Sequence, residues 1–112
     1  MTTKALRFNE GKPKWSMVHF PSLEALPHVL EYGAKKYEVD NWKKPMDLSE
    51  ILNSMMRHQI DLMEGKLIDE ESGLPIIGHL VANCMFFSYH SNMNFMKIRG
   101  ELYPTTLALW HD

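Results

Sequence analysis

The chain has 112 residues, of which 45% are hydrophobic and 23% are charged, and its formal net charge is −2. This composition is typical of one soluble globular domain over residues 1–112, without the basic excess of a general nucleic-acid binder. We therefore expect no nucleic-acid partner, and the polar residues within the apolar run 80–98 argue against a membrane partner as well.

Residues 1–21 contain two prolines and little apolar periodicity, which predicts an N-terminal arm. Ser22 then precedes apolar residues at helical spacing, so a first helix is predicted near 22–38. Gly33 lies inside this helix, where glycine costs about 1 kcal/mol relative to alanine. We therefore expect another helix or a ligand to approach the backbone closely at Gly33.

A second helix is predicted to begin after Asp47, with Glu50 three residues on as part of a capping box, and to end at Gly65. Its apolar residues repeat at helical spacing along one stripe. The capping signals at both ends make this the best delimited element of the sequence.

A third helix is predicted after Ser72 as its N-cap, with Pro75 in its first turn and Gly100 as its stop. An aromatic C-terminal tail at 101–112 follows it. The sequence has no alternating strand pattern of useful length. The predicted fold class is therefore all-α, a helical bundle of about three main helices.

The third helix carries large apolar residues on all sides between positions 84 and 98. Such a helix must be buried all round, and a chain of this size has too few other helices to cover it. We therefore expect a homo-oligomer, a dimer or a tetramer, that completes the bundle. Cys84 is the single cysteine, so we expect a small buried thiol in a reducing compartment.

Two polar residues of the third helix, His79 and Asn83, are four positions apart and share a helix face. They follow the acidic turn 69–71, an arrangement that favours a polar ligand or a metal ion. His58 lies at the edge of the apolar stripe of the second helix, and two imidazoles with the Asp69 carboxylate could bind a divalent ion. The alternative for His58 is a hydrogen-bonded core histidine, and no HExxH or paired ExxE spacing supports a metal site.

Basic and aromatic residues lie together in the first part of the chain. Lys12, Lys14 and Trp15 fall in one short loop, where lysines bind phosphates and an indole stacks on a base. The alternative is a solvated arm that a single tryptophan anchors.

A second group of this kind follows, and we interpret it as ligand-binding. Tyr32 and Lys36 share a face of the first helix, and Trp42 follows in the next loop. Arg57 on the second helix either joins this ligand site or forms a surface ion pair with Asp61.

These segments, over roughly residues 8–88, resemble a family of small phage nucleotide proteins, the MazG-like dATP/dGTP diphosphohydrolase N-terminal domain. The resemblance implies an all-α phage protein that handles purine nucleotides as an oligomer in the cytoplasm of the infected bacterium. The matching segments are Asn9–Pro13, Glu31–Tyr37, Asn41–Trp42, Arg57–His58, Glu71–Pro75, His79 and Asn83.

The chain departs from the family pattern at Lys66, where the family has an acidic residue, and at Ile76, where it has a histidine. Losing an acid and an imidazole would damage a metal site, which hydrolysis of a phosphoanhydride normally needs. The favoured hypothesis is therefore a sponge, a protein that sequesters a nucleotide-derived immune signal of the host without hydrolysis and without a cofactor.

The alternative is a dATP/dGTP diphosphohydrolase that uses Mg²⁺ or Mn²⁺ and releases pyrophosphate. In that case His58, Glu71 and His79 are the candidate catalytic residues. A third hypothesis, a structural helical subunit without a ligand, is disfavoured by the polar face of the third helix.

Overall fold

The computed structural model describes residues 2–99, with side chains described through residue 92. Within this range the chain is all-helical, as predicted, and no helix there is long and apolar enough to cross a membrane. The main elements are α1 (Ala25–Lys36), α2 (Leu48–Met63) and α3 (Ile76–Arg99), with short 3₁₀ helices at Trp15–Met17, Phe20–Leu23 and Asn41–Lys43.

Both predicted ends of α2 are confirmed, but the expected capping box with Glu50 is not formed among the described residues. Asp47 caps its N-terminus, because its Oδ1 accepts the backbone N–H of the second helical residue at 3.1 Å. At the other end Gly65 has a φ of +85° and donates to Leu62 O at 3.0 Å, while Lys66 N donates to Asp61 O at 2.9 Å. These two hydrogen bonds, with a glycine in the left-handed region, end α2.

The predicted N-cap of α3 is wrong, because the helix begins at Ile76 and Ser72 belongs to the turn before it. The backbone N–H of Ser72 donates to Asp69 Oδ2 at 2.8 Å, and Gly73 N donates to Asp69 O at 2.8 Å with a φ of +71° at Gly73. Pro75 disfavours helical backbone at the residue before it, so the helix can start only after the turn. The turn thereby holds Asp69 and its neighbours in place beside α3.

The close contact between helices occurs at Gly78 of α3. A Cβ added there would lie 2.7 Å from Ala25 Cβ, 2.9 Å from Ala25 O and 3.0 Å from Val29 Cγ2. The expectation of a close helix at Gly33 is wrong for the described residues, since no heavy atom lies within 4 Å of a Cβ built there. Gly33 faces open space instead, and this space is the cleft described below.

The core is small and takes residues from all three helices. Its buried apolar members are Val29 of α1, Ile51 of α2, and Ile76 and Ala82 of α3. Cys84 is exposed, so the expectation of a buried thiol is wrong.

The expectation that α3 is apolar and buried all round is only partly tested. Ile77, Cys84 and Ser88 form an exposed strip along its described part, at positions seven and four residues apart. The predicted stop at Gly100, the tail 101–112 and the side chains of 93–99 lie outside the described residues. The homo-oligomer therefore remains a prediction.

Candidate nucleotide-binding cleft

A cleft of about 780 Å³ lies between the end of α1, the segment 37–46, the middle of α2, the turn 69–71 and α3. This volume falls within the range of roughly 300–1,000 Å³ that is usual for small-molecule sites. Nine of the residues that the sequence singled out line it: Tyr32, Lys36, Trp42, Arg57, His58, Asp69, Glu71, His79 and Asn83.

The basic loop of the N-terminal arm does not line this cleft. Lys12 and Lys14 are exposed on the arm, and the Trp15 side chain is 70% exposed at the start of the first 3₁₀ helix. Their role in ligand binding stays a prediction, because none of the three residues lines the cleft.

Lys36 is held at the cleft by an acidic residue of the turn. Its Nζ pairs with Glu71 Oε1, and Tyr32 OH donates to the same oxygen at 3.1 Å. The hydrogen bond to Glu71 raises the pKa of Lys36, and the bonds from Lys36 and Tyr32 lower the pKa of Glu71. The carboxylate therefore occupies the place beside Lys36 that the anionic group of a ligand would take.

Arg57 supplies a second cation to the cleft. The surface ion pair that would have engaged it is not formed among the described residues, because Asp61 pairs with Lys66 at 3.7 Å instead. The guanidinium is exposed and lines the cleft. Two side chains on different helices thus offer positive charge to the same space.

Two histidines and an aspartate form a cluster in the same cleft. The rings of His58 and His79 stack with centroids 5.4 Å apart and an interplanar angle of 24°. His79 Nε2 lies 2.7 Å from Ser72 Oγ, within hydrogen-bond distance, and 3.8 Å from Asp69 Oδ2. The turn before α3 therefore orients His79 through Ser72, a residue that the sequence analysis took only for a helix cap.

The cluster shifts the protonation of two of its members. Burial lowers the pKa of His58, and the neighbouring charge of His79 lowers it further. Burial opposes the ionisation of Asp69, but the hydrogen bonds from the Ser72 backbone and side chain prevail and lower the pKa of this carboxyl. At neutral pH the cluster therefore combines a neutral imidazole at His58 with an ionised carboxylate at Asp69.

We expect an NMR titration to place the His58 midpoint below 6.5, and His79→Gln to move it partly back because one repulsive charge is removed. The folded state then binds fewer protons than the unfolded state between the lowered pKa and 6.5. His58 therefore makes the free energy of unfolding decrease as the pH falls through that window. A midpoint at or above 6.5 would contradict this description of the cluster.

The Trp42 side chain is held in place against α3 at the edge of the cleft. Its ring stacks on Phe86 with centroids 5.1 Å apart, and His90 Nε2–H donates to the Trp42 carbonyl at 2.6 Å. His90 is only 5% exposed. His79, Asn83, Phe86 and His90 follow one another at intervals of four, three and four residues. They therefore lie on one face of α3. That spacing was the signal by which Phe86 and His90 could have been found in the sequence.

The predicted metal ligands do not form a metal site as they are placed. No three His, Cys, Asp or Glu side chains of the described residues are arranged to hold an ion together. The rings of His58 and His79 are stacked on each other, and Ser72 Oγ already lies within hydrogen-bond distance of His79 Nε2. A metal ion bound by His58, Asp69 and His79 therefore stays a prediction. Binding it would require these side chains to rearrange.

The two departures from the family pattern lie away from the cleft lining. Lys66 is exposed and lies 3.5 Å from Glu64 Oε2, so its ammonium is not placed among the cleft residues. Ile76 is 3% exposed and belongs to the core. Lys66 and Ile76 therefore do not alter the lining of the cleft, and their positions do not favour sequestration over hydrolysis.

Comparisons with known proteins agree with the sequence resemblance. The sequence profile of the family "dATP/dGTP diphosphohydrolase, N-terminal" matches residues 2–98. A dATP/dGTP diphosphohydrolase of Salmonella phage PMBT28 is 28% identical over 87 residues, which are 78% of this chain and 30% of that protein. The chain thus spans less than a third of the relative's length, and no solved structure matches it. The profile match over most of the chain shows that it belongs to the dATP/dGTP diphosphohydrolase N-terminal family.

Proposed function

We propose that the cleft binds a purine deoxynucleoside triphosphate and that the chain hydrolyses it to the monophosphate and pyrophosphate. The observation that carries this proposal is the convergence of Lys36 and Arg57 with the His58–His79–Asp69 cluster in one cleft. Family membership and the activity named for the phage relative support the hydrolase, which the sequence analysis ranked second to sequestration.

The two cations suit the phosphate chain of such a ligand. A lysine ammonium binds phosphate as a point charge, and a guanidinium offers paired N–H donors to two phosphate oxygens. Lys36 and Arg57 would therefore neutralise the charge that builds up on the phosphates as the anhydride bond breaks.

The histidine cluster suits the activation of water. His58 is neutral at neutral pH, because burial and the charge of His79 lower its pKa. It can therefore accept a proton from the attacking water, and the nearby Asp69 carboxylate stabilises the imidazolium that results. His79, which Ser72 orients, packs against this base and fixes its ring.

Three further side chains suit the nucleoside. The amide nitrogen of Asn83 donates to His79 O at 2.9 Å, so the amide oxygen is the group that Asn83 offers to an exocyclic amino group of a purine. Trp42 and Tyr32 supply aromatic surface on the same cleft, which favours a nucleobase over a bare phosphate ester.

The experiment is incubation with dATP, dGTP, dCTP and dTTP, with and without Mg²⁺ or Mn²⁺, followed by chromatography of bound and released nucleotide. Magnesium is commonly held by one or two carboxylates together with substrate phosphates, so each nucleotide is assayed with and without divalent ions. We expect purine monophosphates as products, and we expect His58→Gln to slow their formation by about a hundredfold or more while binding is kept.

Lys35→Ala is the control, because Lys35 is exposed on α1 and does not line the cleft. Tight binding with release of unmodified nucleotide under every metal condition would overturn hydrolysis and restore sequestration.

A further inference from the structure

Gly33 stands inside α1 without a conformational or packing reason for a glycine. Glycine is a poor helix former, and proteins use it where the backbone needs a positive φ or where another group approaches the backbone closely. The φ of Gly33 is not positive, and no heavy atom of the described residues lies within 4 Å of a Cβ built on it. Gly78 is the contrasting case, because a Cβ there would overlap α1. The remaining reason for Gly33 is the close approach of a ligand.

Gly33 continues the face of α1 that packs on α3. Ala25, Val29 and Gly33 follow one another at intervals of four residues and therefore share this face. Ala25 and Val29 pack against α3 at Gly78, and Val29 is buried. One turn later Gly33 is half-buried and lines the cleft. The packed face of α1 thus ends in bare backbone at the wall of the cleft.

This bare backbone offers a surface for stacking rather than for hydrogen bonding. The carbonyl of Gly33 already accepts the Tyr37 N–H at 2.9 Å, and its own N–H is used within the helix. Two aromatic residues, Tyr37 and Trp42, line the cleft together with Gly33. The Trp42 ring is held by its stack on Phe86. A flat, largely apolar ring is therefore the kind of group that suits this part of the cleft.

We propose that the purine base lies flat on the backbone of Gly33 and that this glycine gives the cleft a preference for purines. This placement of the base rests on the proposed function, in which Lys36 and Arg57 bind the phosphates of the same nucleotide. A planar ring contacts carbon atoms at about 3.5–4 Å, and only a residue without a Cβ lets a ring come that close to helix backbone. The two fused rings of a purine cover more of this surface than the single ring of a pyrimidine.

A methyl group at position 33 therefore acts on purines more than on pyrimidines. The new Cβ would stand about 1.5 Å out from the α-carbon and hold a stacked ring off the backbone. A single pyrimidine ring has room to shift sideways within the same walls. The larger purine loses its stacking contact instead.

The test is titration calorimetry of Gly33→Ala with analogues of dGTP and dCTP whose α–β bridge is a methylene. We expect the affinity for the dGTP analogue to fall by about tenfold or more, as overpacking of a close contact does. The affinity for the dCTP analogue should change by less than about threefold, so the purine preference of the unchanged chain is lost. Asn53→Ala is the matched control, because it also improves helix propensity but lies exposed on α2 outside the cleft.

Urea unfolding separates a ligand contact from a packing contact. Gly33→Ala should be at least as stable as the unchanged chain, and a less stable variant would point to a packing neighbour and overturn the proposal. Unchanged affinity for the dGTP analogue, or an equal loss for both analogues, would overturn it as well. Absence of binding by the unchanged chain would overturn this proposal and the proposed function together. Binding of dGTP without cleavage would overturn hydrolysis alone.

Discussion

Lys36→Ala is expected to weaken the binding of a purine deoxynucleoside triphosphate by about ten- to a hundredfold. This change corresponds to the loss of one charge-assisted hydrogen bond to a phosphate oxygen. The measurement is titration calorimetry with an analogue whose α–β bridge is a methylene, so that hydrolysis does not interfere. Lys35→Ala is the control, because Lys35 is exposed one position away and does not line the cleft.

The partner of Lys36 should give the opposite result. Glu71 pairs with Lys36 and accepts from Tyr32, so the ligand's phosphate has to displace this carboxylate. Glu71→Gln is expected to tighten binding of the same analogue by about two- to fivefold, which is the scale of an exposed ion pair. Equal affinities for Lys36→Ala, Lys35→Ala and the unchanged chain would place the phosphate site elsewhere.

Gly78→Ala is expected to lower the free energy of unfolding by about 1–3 kcal/mol, because the new methyl would overlap α1. The overlap includes a backbone atom, Ala25 O at 2.9 Å, which cannot move aside as a flexible side chain can. Urea unfolding measures the change as a lower midpoint at unchanged slope.

Gly33→Ala is the matched control for this substitution, since it makes the same change inside a helix with no heavy atom within 4 Å. It should raise stability by about 0.5–1 kcal/mol, because alanine favours helix more than glycine does. If both variants lost stability equally, the close contact between α1 and α3 at Gly78 would be wrong.

These two glycines show where prediction from the sequence ends. Both lie within helices, and propensity assigns the same cost to each. Only the packing of α1 on α3 shows that Gly78 is buried in a contact while Gly33 faces the cleft. The close approach was predicted at Gly33 because of the cost of glycine inside a helix, and Gly33 lines the cleft instead.

The ends of α2 depend on neighbouring residues in the chain and were predicted well, whereas α1 begins at Ala25 and not at the predicted position 22. Asp47 caps α2 and Gly65 ends it as expected, since capping uses groups within a few residues. The shared helix face of His79 and Asn83 likewise follows from spacing alone. Ser72 was misassigned because its role depends on Asp69 and on His79 across the turn.

The departures at Lys66 and Ile76 show a different limit. The sequence gives the identity of a substituted residue but not whether its side chain reaches the site. Ile76 is in the core and Lys66 lies beside Glu64 on the surface, so neither lines the cleft. A family difference became informative about chemistry only once the positions of the side chains were known.

The central claim, hydrolysis in this cleft, is tested most directly by phosphorus NMR of dGTP incubated with the chain and Mg²⁺. The spectrum shows which phosphoanhydride bond is broken, because each product has its own set of resonances. We predict that the triphosphate signals are replaced by those of dGMP and pyrophosphate. Triphosphate that binds but stays intact, or its conversion to dGDP and inorganic phosphate, would contradict the account.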